Sequence, residues 1–380
     1  MSNLSFMEKL LDGVEVEWLE LSNATSFNRG KRLVKSQLEE SGKYAVYQNS
    51  MTPLGYYHES NVDADSTFII CAGAAGEIGY SKDKIWAADD VYFATKTEAL
   101  NCRYLYHFLL TQKTKIASQV RRASVPRLSK SVIEKLIIPI PFPNNPKKSL
   151  EIQAEIVRIL DAFTAMTVEL TAELNMRKTQ YNHYQFETLK FTEATQYLKI
   201  GECCDIKKGL TPIKKATPGK YPLIATTEEI QSSSEYQFDC AAVCVPLISS
   251  RGHGVASIDR IYFQDGKFAL GNILCAIIPK DHSVLSAKFL RYYLFDKKDV
   301  LLVPLMRGGA NVSLTVDSLK KVEIPIPPIA DQKRIVRILD KFDELVKGLP
   351  REIELRQQQY EYYRDLLLSF PKPEPTQASD

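Results

Sequence analysis

One stretch of this chain occurs twice, and it constrains the fold more than any other feature. The hexapeptide Ile-Val-Arg-Ile-Leu-Asp stands at residues 156–161 and again at 335–340. Further matches flank it, ending at Tyr184 in the first copy and at Tyr363 in the second, and all of them keep one offset of 179 residues. A register held over that length indicates an internal duplication of the chain.

The repeated stretch has the apolar pattern of a long helix. In the first copy Ile156, Phe163 and Leu170 belong to a series that recurs every three or four residues and forms one stripe. A helix of roughly forty residues would be about 60 Å long, more than one small domain can cover. The nearest partner for the stripe is the other copy, so two such helices would form a coiled-coil-like spine. An ordinary core helix is the alternative.

Outside the helices the duplication continues more faintly. Gly30 is matched by Gly209 at the same offset, and Tyr44 by Tyr221 at an offset two residues shorter. Short strand-like runs alternate with short helical pieces, and each copy closes with a proline-rich strand. The sequence therefore predicts a mixed α/β (α+β) fold in which two homologous domains are joined by two long antiparallel helices with pseudo-twofold symmetry. The predicted segments are domain 1 at 1–148, a central helical spacer at 149–190, domain 2 at 191–328, a distal helical spacer at 329–370 and a disordered tail at 371–380.

Two local features distinguish the helices. Gly348 and Pro350 stand in the second copy where the first has an uninterrupted helical pattern, which predicts a kink or a split there. The first copy contains a four-residue unit written twice, Thr-Val-Glu-Leu and Thr-Ala-Glu-Leu, at residues 167–174. Four residues advance a helix by about one turn, so such a unit preserves the face of the stripe.

Composition excludes several classes of protein. No run of eighteen apolar residues exists, so no membrane span is expected, and the first residues lack the pattern of a secretory signal. We therefore expect a cytoplasmic location. The seven cysteines form no Cys-x-x-Cys pair and have no histidine spacing suited to zinc. Free, buried thiols are the expected state.

Catalytic motifs are missing as well. The chain has no nucleotide-binding phosphate loop, no His-Glu-x-x-His and no Gly-x-Ser-x-Gly, and its five histidines stand far apart. The glycines of residues 73–79 are not followed by a helical pattern, which favours a tight turn over a phosphate cradle. The sequence is therefore typical of a binding protein, with no catalytic residue, no metal site and no cofactor of its own.

Positive charge is concentrated outside the helices. The net charge of +3 is made up of +3 in residues 1–150, −2 in 151–190, +3 in 191–330, 0 in 331–368 and −1 in the tail. Cations without acids close by in sequence could hold DNA phosphates, with neighbours such as Tyr44, Tyr47, Gln48 and Asn49 reading bases; a solvated surface is the alternative. The predicted DNA-binding residues are Arg29, Lys31, Arg32, Lys35, Arg121, Arg122, Arg127, Lys207, Lys208, Lys214, Lys215, Arg251 and Arg307.

The nearly neutral helices are better suited to binding protein than phosphate. Their apolar stripe and tyrosine-rich ends offer a docking surface. The predicted partner-binding residues are Ile156, Phe163, Leu170, Leu174, Tyr181, Tyr184, Ile335, Phe342, Tyr360 and Tyr363.

The sequence resembles the specificity subunits of type I restriction-modification systems, most closely the IC-like group. The resemblance rests on Ile-Pro-Ile-Pro followed by Ile-Val-Arg-Ile-Leu-Asp in both copies, on the Thr-x-Glu-Leu units, and on Arg-Gln-Gln-Gln-Tyr at 356–360. It implies two target recognition domains that each read one half of an asymmetric bipartite site in double-stranded DNA. It also implies helices that dock two methyltransferase subunits and, through them, two restriction subunits.

The same resemblance assigns the chemistry to other chains. S-adenosylmethionine would belong to the methyltransferase subunit, and ATP and Mg to the restriction subunit, while this chain would be non-catalytic and bind no cofactor. Two other interpretations stay open at this point. One is a coiled-coil scaffold without DNA contact, and the other is a nuclease or methyltransferase with a duplicated domain.

Overall fold

The computed structural model describes residues 14–212, 216–227, 231–250, 256–308 and 311–370. The chain divides into two units. Unit 1 comprises Met1–Thr171 and Arg351–Asp380, and unit 2 comprises Ala172–Pro350. Each unit therefore combines one globular domain with a part of each copy of the repeated helical stretch.

The repeated stretch is helical in both copies. The first long helix spans Pro146–Thr188, with 43 residues, and the second long helix spans Ile329–Leu367, with 39 residues. Asn145 precedes the first helix, and its side-chain oxygen accepts a hydrogen bond from the backbone N–H of Lys148 at 3.1 Å. Asparagine at the cap followed by proline at the first helical position is a favourable helix start. The two long helices predicted from the sequence are confirmed.

The second long helix is continuous at the place where Gly348 and Pro350 predicted a kink or a split. The helix continues through Pro350, so a split at this point was the wrong prediction. Pro350 is exposed, and water can therefore bind the carbonyl that loses its helical partner. Helical residues on both sides of the proline are packed into cores, Leu339 in one and Tyr360 in another, and this packing outweighs one missing hydrogen bond.

The domain of unit 1 is built from three small sheets. Strand β1 pairs with the proline-rich β9, the order β2-β8-β5-β6 forms a four-stranded sheet, and β4-β3-β7 forms a three-stranded one. The strands are β1 (Val16–Glu20), β2 (Phe27–Arg29), β3 (Tyr44–Tyr47), β4 (Gly55–Tyr57), β5 (Ser66–Ile70), β6 (Ile78–Ser81), β7 (Trp86–Ala87), β8 (Val91–Ala94) and β9 (Ile137–Pro141). The short helices are Leu21–Ala24, Cys102–Thr111, Lys113–Ser118 and Lys130–Glu134, with a 3-10 turn at Lys35–Gln37.

The domain of unit 2 repeats this plan. Its sheets are β10-β22, β11-β19-β15-β17, β13-β12-β18-β14 and β16-β21-β20. The strands are β10 (Tyr197–Lys199), β11 (Cys204–Lys208), β12 (Tyr221–Ile224), β13 (Gln231–Ser233), β14 (Phe238–Asp239), β15 (Ala242–Pro246), β16 (Ile248–Ser250), β17 (Tyr262–Gln264), β18 (Lys267–Leu270), β19 (Leu274–Pro279), β20 (Arg307–Gly308), β21 (Asn311–Ser313) and β22 (Glu323–Pro325). The short helices are Ile200–Cys203, Ala287–Asp296, Lys298–Leu301 and Val316–Lys320, with 3-10 turns at Ala256–Asp259 and Val303–Leu305.

The strand orders show that the duplication includes the domains. The four-stranded antiparallel sheet of unit 1, in the order β2-β8-β5-β6, corresponds to the sheet β11-β19-β15-β17 of unit 2. Both units also contain one parallel pairing at the same place, β3 with β7 and β12 with β18. The predicted mixed α/β class with two homologous domains is therefore confirmed.

Two matched glycines hold corresponding turns together. A side chain at Gly30 would run into the carbonyl oxygens of Ala87 and Ala88, and a side chain at Gly209 would run into those of Leu270 and Gly271. The backbone of each glycine also donates a hydrogen bond to the neighbouring strand region at 2.9–3.0 Å. Close backbone approach therefore requires glycine at both positions, directly after Arg29 in one domain and after Lys208 in the other.

Candidate nucleic-acid interface

A buried glutamine fastens the first long helix to the domain of unit 1. Gln153 is 0% exposed and makes three hydrogen bonds. Its side-chain oxygen accepts from the backbone N–H of Asn101 at 2.8 Å, and its amide donates to the carbonyl of Ala99 at 3.0 Å and to the Ser149 hydroxyl at 3.1 Å. Asn101 in turn caps the helix Cys102–Thr111, so the glutamine links one helix to the start of another.

Unit 2 contains the same arrangement. Gln332, also 0% exposed, accepts from the backbone N–H of Ser286 at 2.9 Å. Its amide donates to the carbonyls of Val284 and Pro327, both at 2.8 Å. Ser286 caps the helix Ala287–Asp296. We call these contacts, with the aspartate contacts that follow, the helix joint of each unit.

An aspartate two turns further along each long helix completes the joint. Asp161 accepts hydrogen bonds from Arg103 Nε at 2.8 Å and from His107 Nε2 at 2.9 Å. The equivalent carboxylate in unit 2 accepts from one cation and one hydroxyl. This carboxylate is that of Asp340, which accepts hydrogen bonds from Lys288 Nζ and from the Tyr292 hydroxyl, both at 2.7 Å. In each unit a short domain helix is thus bound to the long helix by two hydrogen bonds to the aspartate, one from a cation and one from a histidine or tyrosine side chain.

His107 joins three elements of unit 1. Its other ring nitrogen, Nδ1, lies 2.9 Å from the hydroxyl of Tyr360 on the second long helix. Burial is the main cause that lowers the pKa of His107, so the ring is neutral. Because the Asp161 carboxylate can only accept, Nε2 carries the proton and Nδ1 accepts from Tyr360. Burial alone would raise the pKa of Asp161, but the hydrogen bonds from His107 and Arg103 outweigh it and lower that pKa.

Aromatic contacts between the long helices are also made twice. In unit 1 Phe163 stacks on Tyr363, with ring centroids 5.1 Å apart. In unit 2 the matched residues exchange roles, and Tyr184 stacks on Phe342 at 5.1 Å. Residues 187–196, which follow Tyr184, share a surface cavity of about 780 Å³ with residues 326–338, which precede Phe342. The two helical segments of unit 2 are therefore antiparallel, as predicted.

The predicted partner-binding residues fall into two groups. Ile156, Ile335 and Tyr360 are buried within the cores of their own units, so the docking surface proposed below leaves them out. The apolar stripe packs partly against the domain and partly against the opposite helix. The sequence pattern alone does not distinguish such internal packing from binding to another protein. The residues that keep some exposure are Phe163, Leu170, Leu174, Tyr181, Tyr184, Phe342 and Tyr363.

Most of the predicted DNA-binding residues are exposed. In the described part of the chain none of them forms an ion pair with a carboxylate, so their charge is available to a ligand. The exposed residues are Arg29, Lys31, Arg32, Lys35, Arg121, Arg122, Arg127, Lys207, Lys208 and Arg307. Lys214, Lys215 and Arg251 lie outside the described residues.

Residues 103–130 form a basic segment in which the structure pairs some of the cations with acids. Three of its cations lie next to acids: Asp161 and Glu77 are distant in sequence, and Glu134 is four residues from the lysine that it pairs with. Arg103 binds Asp161 at 2.8 Å, Lys113 lies 3.0 Å from a glutamate, and Lys130 lies 2.9 Å from another. The remaining basic cluster is the group of arginines at 121, 122 and 127.

Two basic segments that are far apart in sequence meet at one edge of the domain of unit 1. Arg29 Nε donates to the carbonyl of Asp89 at 2.6 Å. The next carbonyl, of Asp90, accepts from the backbone of Cys71 at 2.7 Å, and the carbonyl of Cys71 accepts from Leu128 at 2.8 Å. Arg29 and the arginine cluster therefore lie on either side of the turn that follows β5. In unit 2 Lys208 takes the place of Arg29, paired with Cys275 in the matching strand.

One of the residues proposed to read bases in unit 1, Asn49, lies at the same turn. Asn49 is exposed, and its carbonyl accepts from the backbone of Ala74 at 2.9 Å. Gly73 has a positive φ of 82° and donates to the carbonyl of Pro126 at 3.1 Å. Tyr47 is instead packed against Phe68, with centroids 4.9 Å apart, and serves the core. The expected tight turn is thus present, and it brings the loop after β3 next to the arginine cluster.

No other kind of site emerges from the described ranges. Within them no group of three or more histidine, cysteine or acidic side chains could hold a metal ion, and no helix is long and apolar enough to cross a membrane. All seven cysteines are free, and Cys71, Cys204, Cys244 and Cys275 are buried. Burial raises the pKa of the Cys244 thiol, which keeps it protonated and unreactive.

The chain contains the same domain and the same helix joint twice, and each domain has a basic edge. This architecture is typical of a protein that recognises DNA with two domains. Comparison with known proteins agrees. Residues 14–177 and 193–355 match the family described as type I restriction modification DNA specificity domain. The chain is 35% identical to the EcoR124I/EcoR124II specificity subunit of Escherichia coli, over 98% of this chain and 99% of that protein. It is 34% identical to a putative type I specificity subunit of Haemophilus influenzae, over 97% and 99%.

A solved structure supports the fold. The S subunit of a type I restriction-modification system from M. genitalium superposes with a TM-score of 0.69 at 14% identity, covering 95% of this chain and 98% of that one. The chain therefore belongs to the type I restriction-modification specificity subunits. It has two recognition domains and is a DNA-recognition component rather than a catalytic one.

Proposed function

We propose that the two recognition domains each read one half of an asymmetric bipartite site in double-stranded DNA. The observation that carries this proposal is the helix joint, because Gln153 and Asp161 hold one domain as Gln332 and Asp340 hold the other. Each domain is thereby kept in a defined register on its helix. A dimer of identical copies would suit a palindrome, whereas two unlike copies in one chain suit two different half-sites.

The domain limits predicted from the sequence are part of this proposal. The first domain, 1–148, would read one half-site and the second, 191–328, the other. The helical segments 149–190 and 329–370 would set the separation of the half-sites. Contact would begin with phosphates, held by the exposed cations, and bases would be read from the loops beside them.

We further propose that the long helices dock two methyltransferase subunits and, through them, two restriction subunits. The first long helix exposes large apolar side chains, among them Val168 at 63% and Met176 at 62%, and Tyr184 is 45% exposed. Exposed apolar side chains of this size on an otherwise polar helix favour a protein partner. S-adenosylmethionine, ATP and Mg would belong to those partners, and a cytoplasmic location follows from the DNA substrate.

Methylome sequencing tests the reading function. A host that carries this chain with its methyltransferase should methylate one bipartite sequence with two unlike halves, and neither protein alone should do so. A methylated palindrome, or no sequence at all, would contradict the proposal. Methylation or cleavage of DNA by the isolated chain would instead favour a duplicated enzyme, and salt-independent or absent DNA binding by the assembled complex would favour a scaffold.

Copurification tests the docking surface. Val168→Glu combined with Met176→Glu should lower recovery of the methyltransferase subunit at least tenfold, because two charges would enter an apolar interface. Both positions are exposed, so the chain should fold normally. Gln180→Glu is the control, since it adds charge to an exposed polar position of the same helix. Equal recovery for the double variant and the control would show that the partner binds elsewhere.

A further inference from the structure

Unit 2 contains a small three-stranded sheet that carries one exposed arginine. Arg307 of β20 is paired with Ser313 of β21, and β21 pairs on its other side with β16. The backbone of Leu314 then donates to the carbonyl of Leu247 at 2.8 Å. Two residues later the helix Val316–Lys320 begins.

Unit 1 contains the same sheet in reduced form. Arg121 and Arg127 are paired, and Arg127 is also paired with Ala72 on the other side. The backbone of Leu128 donates to the carbonyl of Cys71 at 2.8 Å, and the helix Lys130–Glu134 begins two residues later. Both helices have five residues and stand at an offset of 186. At that offset Arg121 corresponds to Arg307, and Arg127 corresponds to Ser313.

This correspondence separates two kinds of arginine. A residue kept in both copies performs a task that both half-sites share, and the phosphate backbone is the part of DNA that is the same in every half-site. A residue that differs between the copies can perform a task private to one half-site, such as reading a base. Resting on the proposed function, we infer that Arg121 and Arg307 hold equivalent phosphates of the two half-sites and that Arg127 reads a guanine in the first half-site only.

The local structure favours an anionic ligand at this place. Arg121 and Arg127 are opposite each other in an antiparallel pair, both exposed, and neither has a carboxylate partner in the described residues. Like charges at such positions repel each other, and a phosphate bound by Arg121 beside guanine acceptors bound by Arg127 reduces the repulsion. Arg307 is exposed too, and one of its guanidinium nitrogens donates to the carbonyl of Pro304 at 3.1 Å, which leaves its other donors free.

The geometry also suits Arg127 for reading a base. Its backbone is bonded to Arg121 in both directions, at 2.9 and 3.1 Å, so the side chain projects from a fixed point. Arginine can bind the two acceptors of guanine in the major groove with two parallel hydrogen bonds, and serine cannot span them. Position 313 of unit 2 therefore cannot make the same contact, although the strand that carries it is equivalent.

The test uses the full chain assembled with its methyltransferase. Binding is measured over a range of salt concentrations, on a duplex with the methylated sequence and on a shuffled duplex. Arg121→Ala and Arg307→Ala should each weaken binding to both duplexes by the same factor. Each should also lower the salt slope, which is the steepness with which the logarithm of affinity falls with the logarithm of salt concentration, by about 0.9. Arg127→Ser introduces the serine that unit 2 has at the corresponding position. It should reduce the preference for the correct base over the other bases at one base pair by about tenfold or more. Methylome sequencing of this variant should show one degenerate position, in one half-site.

The controls separate this inference from the proposed function. Lys84→Ala removes an exposed lysine of the same unit that is already paired with Asp63 at 3.6 Å, and the salt slope should not change. Because the hydrogen bonds around Arg121 and Arg127 are made by the backbone, the substitutions should leave the fold intact. A wild-type complex without a bipartite site would defeat the proposed function. A normal site with an unchanged salt slope in Arg121→Ala or Arg307→Ala, or an unaltered methylome in Arg127→Ser, would defeat the inference alone.

Discussion

Truncation of the buried glutamines should destabilise one unit at a time. Gln153→Ala removes the three hydrogen bonds that this glutamine contributes to the joint of unit 1, and Gln332→Ala removes the three that its counterpart contributes in unit 2. Because each glutamine bonds only within its own unit, we expect each substitution to act locally. Each substitution should likewise reduce the sequence specificity at one half-site and leave the specificity at the other half-site unchanged.

The number of broken bonds sets the size of the effect. Both side chains are 0% exposed, so water does not replace the lost partners. A buried donor or acceptor left without a partner costs roughly 1–3 kcal/mol, and some of the three partners of each glutamine will find another contact. A loss of about 3–5 kcal/mol is expected in the affected unit, which is a large part of the roughly 5–15 kcal/mol that stabilises a domain.

Hydrogen exchange followed by mass spectrometry gives the local reading that this prediction requires. Gln153→Ala should speed exchange in peptides covering residues 99–111 and leave residues 284–296 unchanged, and Gln332→Ala should do the reverse. Gln180→Ala is the control, because this exposed glutamine on the first long helix should matter by less than about 0.5 kcal/mol. The reasoning fails if either buried variant behaves like the control, or if each variant loosens both units equally.

Three further predictions concern spacing, charge and pH. Inserting Thr-Ala-Glu-Leu after Leu174 adds about 6 Å of rise and about 400° of turn, so both half-sites should persist with a spacer about one to two base pairs longer, at roughly 3.4 Å per base pair. An unchanged spacer in the methylome would show that the helix does not set the distance between the half-sites. Replacing Lys207 and Lys208 with glutamine should lower affinity for all DNA and reduce the salt slope by up to about 0.9 for each phosphate contact, whereas an unchanged slope would mark a solvated surface. Folding lowers the pKa of His107, mainly by burial, so its contribution to stability is present above its ordinary pKa and is lost as the pH falls from that value through the lowered pKa of the folded state. Amide exchange, corrected for its intrinsic pH dependence, should therefore rise in the joint of unit 1 more than in that of unit 2 between pH 7 and pH 5, and equal behaviour would contradict this.

The long helices could be predicted because their signal is local. Apolar residues spaced by three or four positions report which face is buried, whatever buries it. The same signal does not name the partner, and for that reason Ile156, Ile335 and Tyr360 were grouped with residues such as Tyr184 that remain exposed. Exposure separates these two groups only when the whole unit is folded.

The helix joint could not be predicted in the same way. The residue that bonds His107 on the second long helix is 253 positions away in sequence, and Asp161 is 54 positions away. One signal for the joint was present in the sequence, because Gln153 and Gln332 are polar residues at matched places next to the apolar stripe. A polar residue on a buried face needs hydrogen-bond partners, so such a pair indicates a matched buried contact. Strand order in the domains has no comparable signal, because β2 (Phe27–Arg29) pairs with β8 (Val91–Ala94) although the five strands β3 to β7 lie between them in the chain and only folding brings the two together.

The duplication itself shows how one framework can carry two different recognition surfaces. Positions whose chemistry is the same in both units, such as Gly30 with Gly209 and Gln153 with Gln332, make contacts to backbone atoms. Backbone contacts do not depend on the side chains around them, so loops beside them can change without disturbing the frame. The arginine cluster stands on such a frame, since Arg121 and Arg127 are held together by backbone hydrogen bonds. Replacing Arg127 with the serine found at position 313 therefore alters what the surface binds and not how the domain is held on its helix.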